Sequence, residues 1–489
     1  MEELSSKTAN EKITVKATLK GERFTEADIV TEIEFPSLDS GVVGITCAFE
    51  DDVIPLRLGF QFELQADVDD VEGKKIGGLR AKKVFWRKGT KKLGREIWRG
   101  EALDLTYTQL VGEDPSEKPR FITSFYLTPS DLLQPFQSTV QHYQQGFKVR
   151  THRAAKFKIK GVPKARFESH LVYEKEPNRS FSARQRLAAV CESKSAGDIK
   201  KQVHALEIFL TLVSFAERRR IACYAVTQYS PGKIVKHYRG NITIPDPAPS
   251  HGHNDTLIGP EKFNTFMTDC YPRLLKSRYG AYLRQAMLKL NSDSGRTLES
   301  AFIAQFAGLE NLLNAYAKGK SGILPAHKWK PFNAQLREFI KGHASFKADK
   351  TKRELLYNKL GELNRPALSA VLKAFVTKEK INLDSLWPVT EPPGDSVSLY
   401  QIRNQIVHGR ILPHSGYRAL MVAQFHLQWV LERCLLGVLT WDIEQSRVSD
   451  RFLQMVGPVA WTDESKLLKT AFASAEGEAN LPTPLFNPD

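Results

Sequence analysis

Three residues late in the chain combine the side-chain types that chemistry at a phosphodiester needs. They are Arg403, Asn404 and His408, in the run Tyr-Gln-Ile-Arg-Asn-Gln-Ile-Val-His-Gly. Histidine titrates near neutrality and can take or give a proton. Arginine stays charged and grips a phosphate through a two-pronged fork. Asparagine can orient either the imidazole or the phosphate. Cleavage of RNA by its own 2′-hydroxyl asks for a base on that hydroxyl, an acid for the departing 5′-oxygen and a fixed positive charge on the phosphate. One copy of the run supplies one histidine. Two copies facing each other across a two-fold axis would supply two histidines and two arginines, so a homodimer is the expected unit. The scheme requires no metal and no cofactor.

The run has to be positioned, and its pattern predicts a helix over residues 396–408. Asp395 or Ser396 can cap the first turn, and Gly409 can take the left-handed conformation that ends a helix. At about 100° per residue, Leu399, Ile402 and Ile406 fall on one side of Arg403. Val407 lies about 40° to the other side, Asn404 about 100° and His408 about 140°. Arg403 therefore rises from the apolar stripe, while Asn404 and His408 share the adjacent polar flank. A guanidinium in an apolar stripe is costly unless paired. A second helix, predicted over 298–316, offers the partner. Phe302, Phe306, Leu309, Leu313 and Tyr316 make its apolar face, and Glu310 stands at the edge of that face. An internal Arg403–Glu310 pair is the expectation.

The rest of the chain predicts an α+β protein, with a β-rich N-terminal domain (1–245) followed by an all-α bundle (257–460). Residues 29–35 alternate apolar and polar, as a half-buried strand does. Residues 42–49, 56–64, 121–127, 156–160 and 167–173 are further short runs with β-branched and aromatic residues. Residues 198–220 carry apolar positions at three-to-four spacing, a helix, and 221–227 reads as a strand. The stretch 245–255, rich in Pro, Gly and polar residues, reads as a linker. Beyond it, helices are predicted over 260–275, 298–316, 330–343, 352–360, 367–378, 396–408 and 417–441, joined as in a bundle. Residues 473–489 are small and polar with several prolines and read as a disordered tail.

Composition narrows the partners. Seventy Lys and Arg against 55 Asp and Glu give a net charge of +15, which favours polyanions, nucleic acid first and an anionic membrane surface second. No apolar stretch approaches the roughly 18 residues a membrane span needs. The polar start of the chain has no basic segment followed by an apolar one, so no secretion signal is read. Five scattered cysteines, Cys47, Cys191, Cys223, Cys270 and Cys434, form no C-x-x-C pair and fit neither a disulfide framework nor a zinc site. A reducing cytoplasmic compartment follows.

At Arg403-Asn404-x-x-x-His408 the chain resembles the HEPN superfamily of ribonucleases, whose signature is Arg, a polar residue, three further residues and His. The segment Phe-Ile-Ala-Gln-Phe-Ala-Gly-Leu-Glu-Asn-Leu-Leu from Phe302 is similar to the earlier HEPN helix that carries an acidic residue. A β-rich region ahead of such a bundle is similar to the ApeA-type bacterial anti-phage proteins. The resemblance implies a metal-independent endoribonuclease that acts as a homodimer in antiviral defence by abortive infection. It also implies Arg403, Asn404, His408 and Glu310 as site residues and a phage-derived trigger as a partner.

Other residues admit a binding role beside a plainer one. Residues 74–99 interleave Lys82, Lys83, Arg87 and Lys88 with Phe85, Trp86 and Trp98. Cation and ring together suit a single-stranded nucleic acid; a solvated hairpin with its rings turned inward is the alternative. Arg410, next to the His408 run, is a further candidate for RNA contact. His408 itself can stabilise a helix C-terminus, and Arg403 can be a structural ion pair alone. His251, His253 and Asp255 look superficially like metal ligands but lack a further Cys or His at ligand spacing. No P-loop is present. The rival to an enzyme is a non-catalytic RNA-binding or protein-interaction module.

Overall fold

In the computed structural model the described residues are 12–21, 24–34, 43–50, 62–69, 75–92, 95–111, 121–133, 138–143, 146–151, 157–175, 181–193, 195, 197–239, 256–291, 297–318, 322–347, 349–410, 412–455 and 460–479. The chain divides into two units, Met1–Asn264 and Thr265–Asp489. The predicted linker 245–255, with His251, His253 and Asp255, lies outside the described residues.

The first unit is built on antiparallel strands. Strands β1 (Lys12–Gly21), β2 (Phe24–Glu34), β3 (Val43–Glu50), β4 (Phe62–Asp69), β5 (Lys75–Lys92) and β6 (Arg95–Leu110) pair in the order β6-β3-β2-β1-β4-β5. Strand β5 pairs again with β6, from Gly77↔Gln109 to Lys92↔Arg95, so these six strands close into a ring. Closure removes the exposed edges that an open sheet must otherwise protect. The alternation that writes such a strand is plain in β4, where Leu64, Ala66 and Val68 are buried and Glu63, Gln65 and Asp67 are exposed. Gly77 is needed for the pairing: a Cβ there would stand 2.2 Å from the Thr108 carbonyl oxygen.

Strand β6 is long enough to serve two neighbours on its other edge. Its first half pairs with β3, from Glu50↔Arg95 to Val43↔Ala102. Its second half pairs with a strand from the open part of the sheet, described next. That part comprises β7 (Phe121–Leu127), β10 (Arg166–Lys175), β11 (Phe181–Ser193), β12 (Cys223–Ser230) and β13 (Lys233–Tyr238), in the order β10-β11-β7-β12-β13-β6. The hairpin of β8 (Ser138–Tyr143) and β9 (Gly146–Thr151) is a separate two-stranded sheet. Helix α1 (Ile199–Glu217) packs on β12. Its Phe209 stacks on Phe167, with ring centroids 5.6 Å apart. The carboxylate of Glu217 is buried at the end of α1 and accepts hydrogen bonds from the Leu132 N–H (3.0 Å), the Asp131 N–H and the Ser130 hydroxyl.

The predicted strand over 156–160 is not formed. Ile159 makes an isolated bridge with Val162, because Gly161, at φ +89°, turns the chain back on itself.

The second unit is helical, as expected, and α2 (Pro260–Lys276) carries the chain into it. There follow α3 (Gly280–Leu290), α4 (Leu298–Ala317), α5 (Ala326–Gly342), α6 (Ala344–Lys347), α7 (Lys350–Leu363), α8 (Leu368–Glu379), α9 (Leu399–Val407), α10 (Tyr417–Val438), α11 (Asp450–Met455) and α12 (Trp461–Ala479). Helices α4 and α10 pack on each other; α3 and α8 contact both, and α12 packs on α10. The tail expected from residue 473 is corrected in its first part: α12 continues through Ala479, and 480–489 lie outside the described residues. Among the described residues no helix is long and apolar enough to cross a membrane.

Candidate functional site

The site is the end of α9, set against α4. The sequence starts α9 by a capping box: the Ser398 hydroxyl accepts the Gln401 N–H at 3.1 Å, and the Gln401 side chain accepts the Ser398 N–H at 2.7 Å. The start expected at 396, capped by Asp395 or Ser396, is thereby corrected; Asp395 instead pairs with Lys469. The preceding segment holds the new start in place. Leu399 and Tyr400 donate their N–H groups to the carbonyls of Pro388 and Val389, and the buried Trp387 donates its indole N–H to Val397 at 2.7 Å. Leu399 and Ile402 are buried, as the helical projection requires.

The far end of α9 closes as Gly409 predicts. Gly409 has φ +79°, its N–H donates to Ile406, and the Arg410 N–H donates to Gln405 at 3.1 Å. This pair of bonds satisfies carbonyls that a helix end leaves open. His408 is the C-cap residue, and it is exposed. Its side chain has no hydrogen-bond or ionic partner among the described residues.

Helix α4 enters behind Thr297, whose hydroxyl accepts the Ser300 N–H. It presents Phe302, Phe306, Leu309, Leu313 and Tyr316 to the core. Gly308 lets it approach its neighbours: a Cβ there would stand 3.2 Å from a Leu431 methyl and 3.6 Å from the Ala286 Cα. The Phe306 ring lies 6.2 Å from that of Tyr400, which fixes α9 along α4. Between the two helices the Arg403 Nη2 stands 3.5 Å from the Glu310 Oε2. The Arg403 Nη1 donates to the Asn404 Oδ1 at 3.1 Å.

The structure thus brings Glu310, Arg403 and Asn404 into one polar chain, with His408 one turn further along the flank of Asn404. The guanidinium is held at two of its nitrogens and is 29% exposed. It can still offer donors to an anion approaching from solvent. Imidazole, guanidinium and amide at one exposed helix end can hold a phosphate and move a proton beside it. Buried thiols offer no competing nucleophile here: desolvation pushes Cys223, Cys270 and Cys434 up to about 12. Among the described residues no three His, Cys, Asp or Glu side chains gather as a metal-binding group.

Of the remaining candidates, Lys82, Lys83, Arg87 and Lys88 belong to the first unit. Lys82 is half-buried and lies 3.7 Å from Glu63, which Arg80 also engages. Lys83 is exposed and takes φ +51°, where the β4–β5 register shifts. Arg87 and Lys88 belong to β5 by their backbone, and their side chains lie outside the described residues, as do those of Trp86 and Trp98. Arg410 is half-buried directly after the helix end. Tyr400 and the Ser398–Gln401 box are further positioning residues, absent from the sequence-based expectation. The Ser-x-x-Gln spacing was the available signal for the second. The chain matches no protein-family model, and no curated protein or solved structure compared with it matches either.

Proposed function

We propose that the helical unit is a HEPN-type endoribonuclease domain and that the β-rich unit restrains it or senses its trigger. The observation that supports this reading most is the make-up of the α9 end: an arginine oriented by Glu310 and Asn404, beside an exposed and unengaged His408. In the reaction, His408 takes the proton of an RNA 2′-hydroxyl. The 2′-oxygen attacks the adjacent phosphorus, and the bond to the 5′-oxygen breaks. That oxygen leaves with a proton from a second histidine, giving a 2′,3′-cyclic phosphate and a 5′-hydroxyl. Arg403 balances the charge that builds on the phosphate. The scheme uses no metal.

The motif carries one histidine; in this proposal the second comes from a second copy, and the working unit is a homodimer. Support for such an interface comes from α10, where Tyr417, Met421 and Phe425 recur every fourth residue and are 38%, 44% and 42% exposed. Large apolar side chains in a row on one helix face favour association. Such an enzyme acts where RNA is, in the cytoplasm, and has to be kept silent until needed. Abortive infection set off by a phage-derived trigger is the biology that fits. RNA cleavage by the purified protein in excess EDTA, lost in His408→Ala with an unchanged melting temperature, tests the reading. Salt-sensitive RNA binding with no product would favour the non-catalytic module instead.

A further inference from the structure

Residues 326–363 make an excursion from the helical unit. Its two ends are clasped at one point: the Ile323 N–H donates to the Asn364 carbonyl at 3.0 Å, and the Leu324 N–H to the Asn364 side chain at 2.6 Å. Asn364 returns a bond from its side-chain nitrogen to the Leu324 carbonyl at 3.0 Å. Between these ends α5, α6 and α7 pack on one another. The sequence of α5 is amphipathic. At about 100° per residue, Trp329, Phe332, Leu336, Phe339, Ile340 and His343 share one stripe. A stripe of this kind predicts burial, yet α5 has no buried residue, and Phe339 is 68% exposed.

Rings run along this stripe and on into α6. Trp329 and Phe332 lie 5.8 Å apart, Phe339 and His343 5.8 Å, and His343 and Phe346 5.4 Å. A second stripe runs beside it, made of Lys330, Arg337 and Lys341. Residues 326–363 carry nine Lys and Arg against four Asp and Glu. Lys330 has no acidic partner among the described residues. Arg337 is set over the Tyr357 ring at 4.9 Å, and Lys341 meets only the exposed Glu338, at 3.7 Å.

We infer that this arm is a binding surface for single-stranded RNA. Rings to stack on bases, flanked by cations to meet phosphates, are what a single strand requires. A second copy of the chain would bring the same positive rim and be repelled. A bilayer asks for a continuous apolar face; on the α5 stripe Trp329, Leu336 and Ile340 are half-buried and the Phe332 and Phe339 rings stand clear, while the arm's other exposed apolar residues, Leu355 and Leu363, lie on α7. The choice of RNA among polyanions rests on the ribonuclease reading; the test below needs no cleavage.

The probe is a fluorescein-labelled oligouridylate of about 15 nucleotides, titrated with full-length protein carrying His408→Ala. Phe332→Ala with Phe339→Ala should weaken binding about tenfold or more. Lys330→Glu with Lys341→Glu should weaken it at least as much and flatten its salt dependence. Unchanged affinity in either pair, with the circular dichroism of the parent, overturns the inference. So does a loss of binding to phosphatidylserine vesicles, or a change of oligomeric mass, without a loss of RNA affinity. Should a variant not fold, photocrosslinking of 4-thiouridine RNA to the unaltered arm decides: adducts within 326–347 support the inference, and adducts only elsewhere overturn it. Wild-type protein that cuts RNA, with arm variants that bind RNA as before, would overturn the arm alone. Protein that never cuts RNA would leave this binding result standing.

Discussion

Arg403 on α9 and Glu310 on α4 meet at 3.5 Å, Nη2 to Oε2, although 93 residues of chain separate them by number (403 − 310). Both side chains are between one quarter and one third exposed, so solvent weakens their attraction and the pair is worth about 0.2–1 kcal/mol of stability. Its larger effect is on direction: a guanidinium tied to Glu310 and to Asn404 presents its free donors in a fixed way.

Glu310→Gln should therefore separate activity from stability. Cleavage should fall about tenfold in kcat, by loss of orientation, while the melting temperature changes by less than about 2 °C. Steady-state kinetics and calorimetry check this. A melting temperature that drops with kcat unchanged would make the pair structural only.

Ser398 starts α9 through its capping box, so Ser398→Ala should cost about 1 kcal/mol. For a unit of this size that lowers the melting temperature by about 2–4 °C. Ser398→Thr should recover most of the loss. Thermal denaturation of both variants is the measurement.

Asp450 makes the helical unit acid-sensitive. Desolvation raises its carboxyl, but hydrogen bonds from Ser385 and from the buried Arg433 outweigh this and hold it below the usual aspartate range. A depressed pKa adds stability above the unfolded value of about 4, and that stability is lost as pH falls through the folded value. Asp450→Asn should thus be less stable at pH 6, by about 1–2 kcal/mol given the partial exposure of Asp450. It should also lose less on going to pH 3. Urea titrations at the two pH values check the slope; equal losses in both proteins would remove Asp450 as the cause.

Met421→Glu should split the proposed dimer. A charge in the Tyr417–Phe425 row would shift the protein to a monomer in light scattering and abolish cleavage with it. A monomeric variant that still cleaves RNA would refute the two-copy site.

Much of the site is legible in the sequence, because helical periodicity is local. The apolar spacing from Phe302 to Tyr316 sets Glu310 at a helix edge, and the spacing from Leu399 to Ile406 turns Arg403 inward. Two such projections were enough to pair them. The start of α9 lies three residues beyond the expected one, since Asp395 and Ser396 can also cap, and only the Gln401 side chain decides for Ser398. Helix α3 is absent from the expectation: part of its buried face is Gly280 and Ala286, which carry little apolar signal of their own. The closed ring was out of reach as well. It depends on β6 meeting β5 on one edge and β3 on the other, and such non-local pairings leave no mark in periodicity. The arm misleads in the opposite sense, since the stripe of α5 predicts a burial that the fold does not provide.

In the proposed reaction His408 performs proton transfer. The direct measurement is the rate at which purified full-length protein cleaves RNA in excess EDTA, wild type against His408→Ala, with both melting temperatures recorded. The wild type should cleave to ends bearing 2′,3′-cyclic phosphate, and the variant should lose at least about 100-fold in rate at an unchanged melting temperature. Cleavage by His408→Ala at the wild-type rate would contradict this role of His408.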